Sequence, residues 1–141
     1  MSVYDRSRTR ADEQIDDVVE LRLPAESAYL SVLRTATAGL AARLDFTLDE
    51  IEDLRIAVDE ACALLLPDAV AGSPLICRFT LEPECLEVSV EAVTHAGRIP
   101  GRDSFAWTVL TALAGEVDAS ATPEGAVSLT LRKHRGGFSP S

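Results

Sequence analysis

The side chains most able to do chemistry crowd into one stretch, Thr47 to Leu66, TLDEIEDLRIAVDEACALLL. Its carboxylates come in two pairs, Glu52–Asp53 and Asp59–Glu60. Glu60 has Leu64 one turn beyond it on the same helix face. The plain role for Glu60 is an exposed helix carboxylate beside Arg55 or a loop donor. His95 stands alone in a loop and reads as a surface residue. Cys62, Cys77 and Cys85 lack CxxC spacing and sit in apolar segments, which makes them packing thiols before redox sensors.

The elements that position these residues follow from pattern. Thr47 and Glu50 have the spacing of a reciprocal capping box, which satisfies two orphaned donors at a helix start. Ile51, Leu54, Val58, Ala61, Cys62 and Leu65 recur at three- and four-residue steps and predict one apolar stripe. Pro67 ends the run. Upstream, Val19, Leu21 and Leu23 alternate within a strand over 17–23, stopped by Pro24. Leu30, Leu33, Thr37, Leu40 and Leu44 predict a first long helix over 25–44. Downstream, 75–81 and 85–92 are two strands around Glu82-Pro83-Glu84. A loop over 93–102 leads to a short helix over 104–114, capped by Asp103 or Ser104 and closed by Gly115. Strands over 117–121 and 126–132 flank Thr122-Pro123-Glu124-Gly125. Trp107 and Phe105 are expected to fill core space.

The resulting order is strand, helix, helix, strand, strand, helix, strand, strand. It predicts an α+β two-layer sandwich, with helices on one face of a mixed, mostly antiparallel sheet. The chain of 141 residues, 47% hydrophobic, suits one cored domain. That domain is expected over 17–133. Residues 1–16, with Arg6, Arg8 and Arg10 among polar residues, read as a disordered tail, with a partner-binding arm as the alternative; 134–141 read as a flexible one. A net charge of −10 disfavours direct nucleic-acid binding, which draws on clustered Lys and Arg, and suits a basic partner. The absence of a signal peptide and of an apolar run near ~18 residues predicts a cytoplasmic protein with no membrane association.

Ala57-Val58-Asp59-Glu60-Ala61-Cys62, within LRIAVDEACALLL and after a Leu-Asp-Phe connection, resembles the N-box helix of the GHKL (Bergerat-fold) ATPases. The likeness is strongest to the small bacterial anti-sigma factors that double as serine kinases, and it runs from about Val18 to Lys133. In that family the helix carries a glutamate that polarises the attacking group, then a magnesium-holding asparagine four residues on. Glu60 matches the glutamate; Leu64 replaces the asparagine. The family's Asp-x-Gly-x-Gly falls on Ala92-Val93-Thr94-His95-Ala96-Gly97, without the aspartate. Its glycine-rich lid is shortened to Gly101-Arg102-Asp103, and its phosphate-cradling Gly-x-Gly falls on Ser104-Phe105-Ala106-Trp107.

The resemblance therefore implies degenerate nucleotide positions at Glu60, Leu64, Ala92, Thr94, Ala96, Ser104 and Ala106. Glu60 survives only as a vestigial catalytic candidate. No cofactor is expected, although the family uses ATP and magnesium. What the resemblance implies is an anti-sigma factor that sequesters an alternative sigma factor and is released by a STAS-type anti-anti-sigma partner. It also implies a homodimer and assigns partner docking to Arg34, at the matching site midway along the first helix. The rival readings are a working ATP-dependent serine-protein kinase acting on a STAS protein, and a non-catalytic adaptor with another partner.

Overall fold

A computed structural model describes residues 17–136, so the tail expected over 1–16 lies outside the described residues. In chain order it contains β1 (Asp17–Pro24), α1 (Leu30–Arg43), α2 (Leu48–Leu65), β2 (Pro74–Glu82), β3 (Cys85–Val93), α3 (Phe105–Ala114), β4 (Glu116–Ala121) and β5 (Ala126–His134). The element order matches the one read from the sequence, and the architecture is the α+β two-layer sandwich.

The sheet order is β1-β2-β3-β5-β4. Every neighbouring pair is antiparallel, so the sheet is antiparallel throughout and not mixed. The crossover through α3 does return β4 parallel to β3. β5, however, inserts between them and pairs antiparallel with both. Leu21, Cys77, Val90, Leu129 and Ala119 line up across the five strands on one face. The adjacent row runs Val19, Phe79, Val88, Leu131 and Val117. Leu33 of α1, Leu54 and Val58 of α2 and Leu110 of α3 are buried in the same core. Each such side chain contributes about 1.5–3 kcal/mol when fully buried.

α2 lies between the other two helices and packs on both. Its capping box forms as the sequence predicts: Thr47 Oγ1 accepts from the Glu50 amide at 3.1 Å, and Glu50 Oε1 accepts from the Thr47 amide at 2.8 Å. Glu50 Oε2 also takes the amide of Gly136 at 2.7 Å, tying the end of the described chain to the start of α2. Lys133 reaches the helical layer, donating to the Leu113 carbonyl at 2.7 Å, with Asp53 at 3.6 Å.

Three expectations are corrected. The first helix starts at Leu30, not Ala25, because the chain turns at Pro24, whose carbonyl accepts the Glu26 amide, and Glu26 is extended. His134 belongs to β5, paired with Cys85, and so does not begin a flexible tail. Phe105 is 83% exposed, while Trp107 is buried. The core-facing stripe of α3 is Trp107, Leu110 and Ala114, and a residue two before Trp107 points to the opposite side of a helix with 3.6 residues per turn.

Candidate functional site

α2 carries Glu60 and Leu64 just off its buried stripe, both half-buried. Leu64 packs against the hydrophobic core. Arg55 does not pair with Glu60; it donates to Glu52 at 2.8 Å. No hydrogen bond or ion pair joins Glu60 to another described residue. Among the described residues, no group of three His, Cys, Asp or Glu gathers that could hold a metal ion.

The next segment, Ala92 to Gly97, is a hydrogen-bonded knot. Ala92 is buried in β3 between Leu75 and Val127. Thr94 is also buried, and its amide donates to the Gly125 carbonyl at 2.9 Å. Its hydroxyl accepts the Gly97 amide at 2.9 Å. The His95 amide donates to the Asp68 carbonyl at 2.9 Å, and the Ala96 amide to Asp68 Oδ2 at 2.8 Å. Asp68 follows α2 closely, so the end of that helix and this loop are fastened together. Gly125 has φ +94°, and a Cβ there would lie 2.9 Å from the Thr94 carbonyl oxygen. The His95 ring is exposed.

Farther on, Ser104 caps α3 by accepting the Trp107 amide at 3.2 Å and donates its own hydroxyl to the Gly101 carbonyl at 2.7 Å. Ala106 is half-buried. Arg102 lies 4.6 Å from the centroid of the Trp107 ring and pairs with Asp118 at 3.1 Å, fixing the short connection against β4. The fold thus joins the α2 end to the 94–97 loop. Among the described residues, no hydrogen bond or ion pair links Glu60 to Ser104 or Ala106. For a magnesium nucleotide the donor set fits poorly. The position that the resemblance would give to the metal holds the aliphatic Leu64, and the amides of His95, Ala96 and Gly97 already have partners within the chain.

A second constellation lies on the outer side of α1 and α2. Arg34 Nε donates to both carboxylate oxygens of Asp59, at 2.9 and 2.8 Å. The side chains stay 40% and 34% exposed, a geometry worth about 0.2–1 kcal/mol once solvent screening is included. Beside them, Arg34, Thr35, Ala38, Gly39 and Arg55 line an open hollow of about 410 Å3. Sequence reasoning named Arg34 but did not foresee its link to Asp59, the pairing of Arg55 with Glu52, or any role for Asp68. The signal for Asp59 was its opposite charge on the neighbouring helix of an antiparallel pair.

Two other polar features belong to the framework. On the open face of the sheet, Arg132 contacts Glu82, Glu87 and Glu116, and its guanidinium is held more firmly protonated by the hydrogen bonds it donates to Glu82 and Glu87. All three cysteines are free and buried. Burial pushes the Cys77 thiol up to about 12 and Cys85 to about 11, and raises Cys62 as well. No helix among the described residues is long and apolar enough to cross a membrane.

No protein-family model and no curated protein matches the chain significantly. The fold is nevertheless shared with a solved structure of the RsbU and RsbW domains of Rv1364c from Mycobacterium tuberculosis. The TM-score is 0.67 at 15% identity, over 84% of this chain and 32% of that one. The chain therefore spans about a third of the length of that structure's chain. The shared fold agrees with the α+β two-layer sandwich expected from the order of strands and helices.

Proposed function

We propose that the chain is an anti-sigma factor that acts by binding alone, holding an alternative sigma factor until a STAS-type anti-anti-sigma protein displaces it. ATP binding is weak or lost, and a homodimer is the working form. The observation that carries this reading is the state of the nucleotide positions. Leu64 is packed, half-buried, against the core, and the amides of His95, Ala96 and Gly97 are engaged by Asp68 and Thr94. The scaffold is kept while the groups that would grip a nucleotide are apolar or internally satisfied. The sequence resemblance and the shared fold with a structure containing an RsbW domain support the regulatory assignment. The net charge of −10 adds to it: complementary fields speed encounter with a basic partner and disfavour wrong ones.

Arg34 is the docking residue. Only its Nε is engaged by Asp59, so both terminal nitrogens remain to grip a partner carboxylate with two bonds. One observation favours the kinase alternative: Glu60 is half-buried and has no hydrogen-bond or ion-pair partner among the described residues, which leaves its carboxylate open to take a proton. The deciding experiment titrates the purified protein with each alternative sigma factor of its own cell and, separately, with Mg·ATP. Tight binding of one sigma factor, weakened about tenfold or more by Arg34→Ala, is expected. Micromolar Mg·ATP binding would overturn the non-catalytic reading. Failure of every sigma factor to bind would leave the adaptor.

A further inference from the structure

We infer that the hollow where β1 and β2 part is a binding site for a free aliphatic α-amino acid. Arg22 takes its carboxylate, Glu26 its ammonium group, and an apolar floor its side chain. The proposed function gives the chain no small-molecule ligand, and this site does not depend on which protein the chain binds. Two prolines create the hollow. Pro24 and Pro74 are register partners at the end of the β1–β2 ladder, beside the Leu23–Leu75 pair. Neither has an amide to continue the pairing, so the strands stop there and the chain parts into 25–26 and 69–73. These segments and the strand ends surround a volume of about 530 Å3.

One wall is fastened in advance. Val70 donates its amide to the Val93 carbonyl at 2.8 Å, Ala69 bridges to Thr94, and the Ser73 amide closes a turn on the Val70 carbonyl at 3.1 Å. Gly72, at the third position of that turn, has φ +86°, which glycine reaches without strain. The amides of Ala71 and Gly72 have no partner among the described residues and stay available as donors on the lining.

The floor and the charges narrow the ligand. Leu23, Ala25 and Ala69 line the hollow and pack against the hydrophobic core. Arg22 and Glu26 line it too; they do not pair with each other, and neither has a partner among the described residues. Glu26 even stands at the cap position of the short turn over 27–29 without capping it. Six other arginines, by contrast, have carboxylate partners. An unpaired guanidinium presents a fork that matches a carboxylate, and an unpaired carboxylate accepts from an ammonium group. A simple anion would meet Glu26 as a like charge, and a simple cation would meet Arg22. A zwitterion with an aliphatic side chain satisfies both charges and the floor, in a hollow of the mostly apolar kind with few polar groups that small molecules occupy.

The test titrates the isotope-labelled full chain with L-leucine and with three truncated probes. Isocaproate lacks the ammonium group, isoamylamine the carboxylate, and glycine the side chain. Leucine is expected to shift the Ala71 and Gly72 amides and the Arg22 Nε–H resonance, with a dissociation constant of about 1 mM or tighter. Each truncated probe should bind at least about tenfold more weakly. Arg22→Gln should abolish the advantage of leucine over isoamylamine, and Glu26→Gln its advantage over isocaproate. Both positions are exposed, so the melting temperature should hold in either variant. No shifts at about 10 mM leucine, or shifts confined to other parts of the chain, would overturn the site. So would equal affinity for leucine and any one of the probes, or leucine binding unchanged in both variants.

Discussion

Leu64→Asn restores the side chain that the family resemblance places against magnesium, and so sets packing directly against ligand binding. Full burial of a leucine is worth about 1.5–3 kcal/mol, and Leu64 is half-buried against the core, which makes its share about 1 kcal/mol. Asparagine is also a weaker helix former by roughly 0.5 kcal/mol. The variant should therefore lose about 1–2 kcal/mol, or roughly 4–8 °C in melting temperature for a domain of this size. No affinity for Mg·ATP should appear in return. The amides of 95–97 remain engaged by Asp68 and Thr94, and one regained oxygen ligand does not rebuild a site for a cation that needs several. Thermal melts with and without Mg·ATP, backed by calorimetric titration, measure both halves. Micromolar binding in Leu64→Asn would refute the claim that the lesion is distributed. An unchanged melting temperature would refute the packing role of Leu64.

Glu50 has its pKa lowered: burial pushes it up, but the amides of Thr47 and Gly136, the Thr47 hydroxyl and the Lys133 charge outweigh that. A carboxylate with a depressed folded-state pKa stabilises above its unfolded pKa and loses that contribution as pH falls through the folded value. Glu50→Gln should cost about 0.5–1 kcal/mol at pH 7 in urea unfolding, and the difference from wild type should shrink as the pH falls below the ordinary carboxylate range and through the lowered folded value. Gly125→Ala forces a side chain into φ +94° and against the Thr94 carbonyl. A loss of about 2 kcal/mol or more is expected, and unchanged unfolding would show that the Thr94 turn does not hold the loop. Cys62 and Cys77 are fully buried with raised thiol pKa values, so both should resist iodoacetamide at pH 8 until urea unfolds the chain. Rapid labelling of the native protein would contradict their burial.

What could be read in the sequence was whatever depends on residues close together in the chain. The capping box at Thr47 and Glu50, the stripe of α2 and the alternation of Leu86, Val88 and Val90 are local patterns with fixed periods, and each reappears in the structure. The misreading of Phe105 came from counting aromatic character without phase, since its place on the helix wheel is opposite Trp107. The Arg34–Asp59 link and the Asp68 clasp on the 94–97 loop were not legible. They join residues 25 and 28 positions apart, and only the packed helices and the returning sheet bring them together. Of the candidate positions, the leucine where the resemblance would place a magnesium ligand was plain from residue type alone. That the neighbouring amides have internal partners needed three dimensions.

The placement of β5 has a consequence for synthesis. The last strand among the described residues is an interior one, slotted between β3 and β4. Until Ala126–His134 has left the ribosome, β3 presents a bare ladder of backbone donors and acceptors, and β4 has nothing to pair with. The nascent protein is therefore most prone to aggregate while β5 is still unmade, and cutting into β5 would remove the middle of the sheet and not merely its margin.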